Sequence, residues 1–249
     1  MELKCVKFDK EDGIATVTLN RMEKMNALSP QLFGEIGKCF DMAADDEQIA
    51  AVIITGGEKV FSAGMDIAEM MEFGPEDNFP FWNSYYNVTL EKMYNFRVPV
   101  IAAVSGYALA GGFDLAVACD FRIASETAKF GQLEVNVHLS PGVERLWRLI
   151  GLGRAKYLGL TCEIIDAEEA YRIGLVNKVV KVEELMSEAQ ALAAKFVSKP
   201  REALEKTKQS LNIVPNMEHK AAINYETLSL SYLFSCEERK RIMERFLKK

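Results

Sequence analysis

Residues 99–141 read PVIAAVSGYALAGGFDLAVACDFRIASETAKFGQLEVNVHLSP, and this stretch decides the fold. The apolar run 98–104 is short enough for a strand, and it lacks the alternation of a strand with one wet face. Gly106 breaks it, Gly111-Gly112 break the chain again, and residues 113–118 can turn as a helix. Asp114 stands three residues beyond Gly111, and Glu134 twenty residues beyond Asp114. If Gly111 opens the helix, its N–H is an unpaired donor at the positive end of the helix dipole. Such a donor, a carboxylate beside it and a second one returned by residues 130–137 would make an oxyanion site with acid–base partners. Residue types alone leave a commoner alternative open, with Asp114 capping or solvating a helix and Glu134 marking a strand end.

The same pattern occurs upstream. Residues 51–55 form an apolar strand, Gly56-Gly57 follow, and Ser62, Ala63 and Gly64 are small enough for backbone to approach a ligand closely. Asp66 then starts a helical turn through 70. Two strand, glycine turn and helix units with wholly apolar strands predict an α/β fold of parallel strands joined by crossover helices. Ahead of them, residues 3–8 and 14–19 predict a hairpin about Asp12-Gly13. Ser29-Pro30 open a helix to 44 that buries Leu32, Ile36, Cys39, Phe40 and Ala43. Residues 72–80 read as a polar, proline-broken loop. The helical run 81–96 directs Trp82, Tyr85 and Tyr86 toward either a pocket or the core.

Residues 121–124 form a third short strand. From 141 the texture becomes helical, with a capping box at Asp166 and Glu169 and one more strand at 175–180. Four helical segments (183–195, 200–212, 217–233 and 237–247) close the chain. The expected division is a core of residues 1–190 and a helical region of residues 191–249. In that region Ile223, Leu228, Leu230 and Phe234 cover either the core or a neighbouring subunit.

The 249 residues carry a net charge of −6 and no basic block, which argues against nucleic acid as the main partner. An anionic small ligand stays open, because lysines and helix ends act locally. Five widely spaced cysteines predict reduced thiols. With no leader-like opening and no apolar run of about 18 residues, a soluble cytoplasmic protein without a membrane partner is expected. Two histidines, no G-x-S-x-G, no P-loop lysine, no C-x-x-C and no G-x-G-x-x-G argue against a triad, a metal or a redox cofactor. Setting these options aside adds modest weight to carboxylate and backbone chemistry.

Several motifs in order resemble one family. FSAGMDIAEM (61–70), IAAVSGYALAGGFDLAVACDFRIA (101–124) and FGQLEV (130–135) are similar to the crotonase, or enoyl-CoA hydratase/isomerase, superfamily. RMEKMNAL (21–28) and AEEAYRIGLVNKVV (167–180) extend the resemblance over nearly the full length. It implies a crotonase-like spiral of ββα units with a C-terminal helical region. It also implies that the N–H groups of Met65 and Gly111 hold the thioester oxygen of an acyl-CoA, with Glu134 and Asp114 as acid–base residues. Coenzyme A, part of the substrate rather than a separate cofactor, would lie over the 61–66 turn. Its expected contacts are Ala27, Lys59, Phe61, Ala63, Asp66 and Ile67, with Arg21 or Lys24 at the phosphates. Trp82, Tyr86, Pro141 and Glu144 are candidates for the acyl pocket. The C-terminal helices imply a homotrimer or a dimer of trimers.

This sequence departs from the family at two places. Asp114 stands where hydratases carry glutamate, one methylene shorter. After Pro141-Gly142 the chain runs VERLW in place of a glycine-rich A-G-G-T-Q-R-L stretch, about three residues shorter. Dienoyl-CoA isomerases share aspartate at the first position, but their further aspartate falls on Gly142 here, with Glu144 close by. The resemblance implies reversible hydration of a 2-enoyl-CoA first. Double-bond isomerisation through Glu134, another thioester-enolate reaction, or acyl-CoA binding without catalysis are the alternatives.

Overall fold

Asp12 and Gly13 both take positive φ, 47° and 77°, the geometry that a tight hairpin turn between twisted strands requires. In the computed structural model, which describes residues 3–247, they join β1 (Val6–Glu11) to β2 (Ile14–Leu19), with Glu11 opposite Ile14. The first strand thus begins later than the expected 3–8 and runs up to the turn. Ser29 caps α1 (Pro30–Ala44) by accepting the Leu32 N–H at 3.1 Å.

From β3 (Ala51–Thr55) onward the main sheet is parallel. It continues through β4 (Val100–Val104), β6 (Phe121–Ser125) and β9 (Lys178–Val180) in the order β1-β2-β3-β4-β6-β9. Both faces are covered, which is why these strands read as unbroken apolar runs. Val52, Ile54, Ala102 and Val104 pack into the large core shared with α1. Ile53, Ile101 and Ala103 face the other way, toward Leu185, Ala189 and Ala193 of the helix Leu185–Val197.

A second sheet of three very short strands is absent from the sequence reading. It pairs β5 (Tyr107–Leu109) with β7 (Lys129–Gly131) and β7 with β8 (Ile165–Asp166). Strands of two or three residues are too short to show a period. Their pairing nevertheless carries the chain from β4 to α5 (Gly111–Val117) and back to Glu134.

The expected loop at 72–80 is corrected. After α2 (Ile67–Met70), α3 spans Pro75–Trp82, with Pro75 in its first turn and the Gly74 N–H donating to Asp77 Oδ2 at 2.9 Å. Pro80 sits inside the helix, at a position where a proline by itself predicts a break. The helix continues as a π-helical stretch, Asn83–Leu90, into α4 (Glu91–Tyr94).

The chain forms two compact units, Met1–Val197 and Ser198–Lys249. The boundary expected at 190/191 falls within Leu185–Val197, whose apolar face is part of the first core. The second unit is helical, with helices Arg201–Ile213, His219–Ser235 and Glu237–Leu247. Among the described residues no helix is long and apolar enough to cross a membrane.

Arg122 fixes the far end of α5. Fully buried, it donates to the carbonyls of Leu175 at 2.7 Å, Cys119 at 2.6 Å and Ala116 at 3.3 Å. A cation there suits the carbonyl end of a helix. Arg122→Met strands these acceptors out of reach of water, and we expect a loss of about 3 kcal/mol in urea unfolding. A loss under about 1 kcal/mol would contradict the clamp.

Candidate active site

Three turns meet at the site, and Asn26 ties the first two together. Buried at φ 51°, it donates to Val60 O at 3.0 Å and Gly56 O at 3.3 Å, while its Oδ1 accepts the Arg21 N–H at 2.9 Å. Its carbonyl accepts the Ser62 hydroxyl at 2.8 Å. The 62–66 turn then bridges Leu28: Leu28 N–H donates to Gly64 O and Asp66 N–H to Leu28 O, at 2.7 and 2.9 Å. These bonds use the peptides flanking Met65. The Met65 N–H itself has no acceptor among the described residues.

The third turn carries Gly111. Leu109 N–H donates to Ser62 O at 3.0 Å and Ala110 N–H to Gly131 O at 2.8 Å. Ala110 is held at φ 49°, ψ −125°, a strained conformation for a residue with a β-carbon. Its carbonyl accepts Phe113 N–H and Asp114 N–H, which locks the start of α5. Gly111 is the first residue of that helix, where an N–H has no intrahelical acceptor. Gly112 must be glycine: a β-carbon there would lie 2.5 Å from Ser62 O. The Met65 side chain lies over Gly111, its Cε 3.0 Å from where a β-carbon would stand.

Both N–H groups belong to residues lining a cavity of about 450 Å³, which Glu134, Tyr86, Trp82, Met70 and Leu139 also line. Glu134 begins the 3-10 turn Glu134–Val137, and its buried Oε2 has no hydrogen-bond partner among the described residues. Burial raises its pKa, while backbone hydrogen bonds at Glu134 and Leu133 oppose that rise. A buried carboxylate oxygen left unpaired is costly, and it is suited to take and return a proton.

Asp114 is placed differently. It is buried but is not among the residues that line the cavity. Oδ2 accepts the Tyr86 hydroxyl at 2.8 Å and Oδ1 accepts Gln132 Nε2 at 3.2 Å. Gln132 Nε2 also donates to Gly142 O at 2.8 Å, and a β-carbon on Gly142 would lie 2.8 Å from Asp114 Oδ2. Burial, then the nearby Glu134 carboxylate, push the Asp114 carboxyl up to about 8 against those two hydrogen bonds.

The remaining expected contacts divide. Ala63 and Ile67 line the cavity, and Lys24 and Lys59 are exposed on the turns beside it. Ala27 is half-buried, and its carbonyl accepts Arg21 at 3.0 Å. The Arg21 guanidinium, a candidate for the phosphates, pairs with Asp66 and Glu69, each at 2.8 Å. Asp66 is likewise turned inward, capping α2 through the N–H groups of Ala68 and Glu69; against the raising effect of burial, the Glu69 N–H and then Arg21 hold its carboxyl below the usual range. The Phe61 side chain is fully buried in the core, so only its backbone faces the turn. Trp82 and Tyr86 line the cavity as expected; Pro141 and Glu144 do not. Glu144 is exposed and pairs with Arg148 at 2.6 Å. Sequence reasoning missed Gln132, Asn26 and the Tyr85 hydroxyl, which donates to Gly111 O. None of these carries a spacing signal, because each has a partner at least 18 residues away in the chain: Asp114 for Gln132, Val60 and Gly56 for Asn26, and Gly111 for Tyr85. Among the described residues no group of three His, Cys, Asp or Glu side chains could hold a metal ion.

Turns that bring two unspent backbone donors and a buried carboxylate to the lining of one cavity make a candidate oxyanion site in an α/β scaffold. The family model for enoyl-CoA hydratase/isomerase matches residues 9–249, and the chain belongs to that family. It is 41% identical to a short-chain-enoyl-CoA hydratase of Clostridium acetobutylicum, covering 100% of this chain and 97% of the relative. It is 39% identical to a crotonyl-CoA hydratase of Syntrophomonas wolfei, over 97% of this chain and 94% of the relative. An enoyl-CoA hydratase crystal structure from Bacillus anthracis superposes with a TM-score of 0.94 at 32% identity, covering 98% and 96% of the two chains.

The raised Asp114 carboxyl has a signed consequence for stability. The folded state keeps a proton that the unfolded chain releases near pH 4. Its contribution is therefore full below that pH and is lost as pH rises toward about 8. Asp114→Asn removes this dependence, so its melting temperature should gain on the parent by at least about 2 °C between pH 5 and pH 8. A difference that is the same at both pH values would refute the shift.

Proposed function

We propose that this protein is an enoyl-CoA hydratase that adds water reversibly, in the syn sense, across the 2,3 double bond of a 2-enoyl-CoA. The observation that carries the reading is the convergence of the unspent Met65 and Gly111 N–H groups and the unpaired Glu134 Oε2 on one cavity. As water adds at the β-carbon, negative charge moves through the α-carbon onto the thioester oxygen. Fixed donors at that oxygen bind the enolate more tightly than the ground-state carbonyl, and each is worth roughly 3 kcal/mol. Glu134 takes a proton from the water and gives one to the α-carbon as the enolate collapses, so the carboxylate ends as it began. Met70, Trp82, Val137 and Leu139 offer the acyl chain an apolar wall. Arg21 or Lys24, with Lys59 and the backbone of the 59–63 turn, are the candidates for coenzyme A.

The same reading places the chain in the cytoplasm as a homotrimer or a dimer of trimers. Exposed Leu228, Leu230 and Phe234 in the second unit support assembly with further copies. One observation favours the second reading, isomerisation by Glu134 alone: both oxygens of Asp114 are engaged by Tyr86 and Gln132.

Glu134→Gln should lower kcat for crotonyl-CoA hydration by about 10³-fold, with KM changed little. In the parent, activity should fall on the acid side at a pH above the ordinary glutamate range, because the raised Glu134 must be ionised to accept the water proton. Unchanged turnover in the variant, or isomerisation of a 3-enoyl-CoA without hydration, would refute the hydratase assignment.

A further inference from the structure

Adjacent residues of an α-helix point about 100° apart, so two neighbouring side chains rarely serve the same partner. Tyr85 and Tyr86 do. Both lie in the π-helical stretch Asn83–Leu90, and both hydroxyls donate to α5: Tyr85 to Gly111 O, and Tyr86 to Asp114 Oδ2 at 2.8 Å. The wider i→i+5 turn brings consecutive residues toward one face, and such turns concentrate at functional sites. Tyr85 is fully buried, whereas Tyr86 lines the cavity with Glu134, Met65 and Gly111.

Tyr86 thus lines the cavity with Glu134, while its hydroxyl reaches the Asp114 carboxylate behind it. Asp114 is one methylene shorter than glutamate, does not line the cavity, and is packed against Gly142. The tyrosine ring is held on both sides, its centroid 5.1 Å from Tyr85 and 6.0 Å from Trp82. Burial, with Asp114 and Glu134 both within electrostatic reach, raises the phenol's pKa, so it keeps its proton as a donor to Asp114. Its oxygen lone pairs remain available to accept.

We propose that Tyr86 is the second group to touch the adding water: its hydroxyl donates to Asp114 Oδ2 and accepts one O–H of the water, while Glu134 accepts the other. Asp114 then acts as a positioning residue, through Tyr86. This rests on the hydratase reading above. The water O–H bond toward Glu134 breaks and the oxygen–β-carbon bond forms. The alkene electron pair moves to the α-carbon and thioester oxygen, and the proton held by Glu134 passes to the α-carbon. The hydrogen facing Tyr86 stays on oxygen and becomes the product hydroxyl.

Two reactions separate the roles: hydration of crotonyl-CoA, which needs the water, and exchange of the α-proton of butyryl-CoA in D₂O, which needs only Glu134 and the oxyanion donors. Tyr86→Phe keeps the ring packing, so its melting temperature should match the parent's within about 3 °C. Its kcat for hydration should fall by about 30-fold or more, with KM within about threefold, and its ratio of hydration to exchange should fall at least about tenfold. Asp114→Asn keeps an acceptor for the Tyr86 hydroxyl and should lose less hydration than Tyr86→Phe. An unchanged ratio in Tyr86→Phe, or a greater loss in Asp114→Asn, would overturn the assignment and make Asp114 the water ligand. A parent enzyme that does not hydrate crotonyl-CoA would overturn the hydratase reading itself, and the role of Tyr86 with it.

Discussion

Everything at the site depends on how closely the 62–66 turn lies against the start of α5. Gly112 meets the Ser62 carbonyl at a distance no β-carbon could share, and Leu109 N–H closes on the same oxygen. That contact sets the spacing of two peptides whose own N–H groups take no part in it. The bridge from Leu28 uses Gly64 and Asp66 and skips Met65, and the helix begins at Gly111, where a donor is left over. Two unspent backbone donors are thus what remains after the turns have satisfied each other. The strained Ala110 is the local cost of aiming the second one.

Around this contact the molecule distributes burial unevenly between two carboxylates. Glu134 is desolvated and left without a side-chain partner, while Asp114 is desolvated and fully engaged. Like charges close together in a dry site resist ionising together, and only Glu134 Oε2 is left without a hydrogen-bond partner among the described residues. Gly142 belongs to the same arrangement. With no side chain there, the backbone of the shortened segment closes on Asp114 and gives Gln132 a carbonyl to bind.

The charged residues around the entrance illustrate how far a motif can be read literally. Arg21 opens the RMEKMNAL motif and looks available for phosphate, yet it is bound by Asp66 and Glu69 and by the Ala27 carbonyl. It braces the turn that carries Met65, a role that depends on residues about 45 positions away. Glu144 is the opposite case: close in sequence to a functional position, it pairs with its own helix neighbour on the surface.

Residues 51–55, 98–104 and 111–118 were legible because a strand buried on both faces and a glycine-broken turn leave local marks in composition. The cap at Ser29 and the turn at Asp12-Gly13 were legible for the same reason, and so were Met65, Gly111 and Glu134, through motif text. The three-residue strands, the helix through Pro80 and the inward turn of Arg21 were not, since each depends on partners supplied by another part of the chain. Glu134, Asp114 and Tyr86 are visible as letters. Which of them is dry, which is paired and which faces the cavity is an outcome of packing, because burial and hydrogen bonding belong to the assembled neighbourhood and not to the residue.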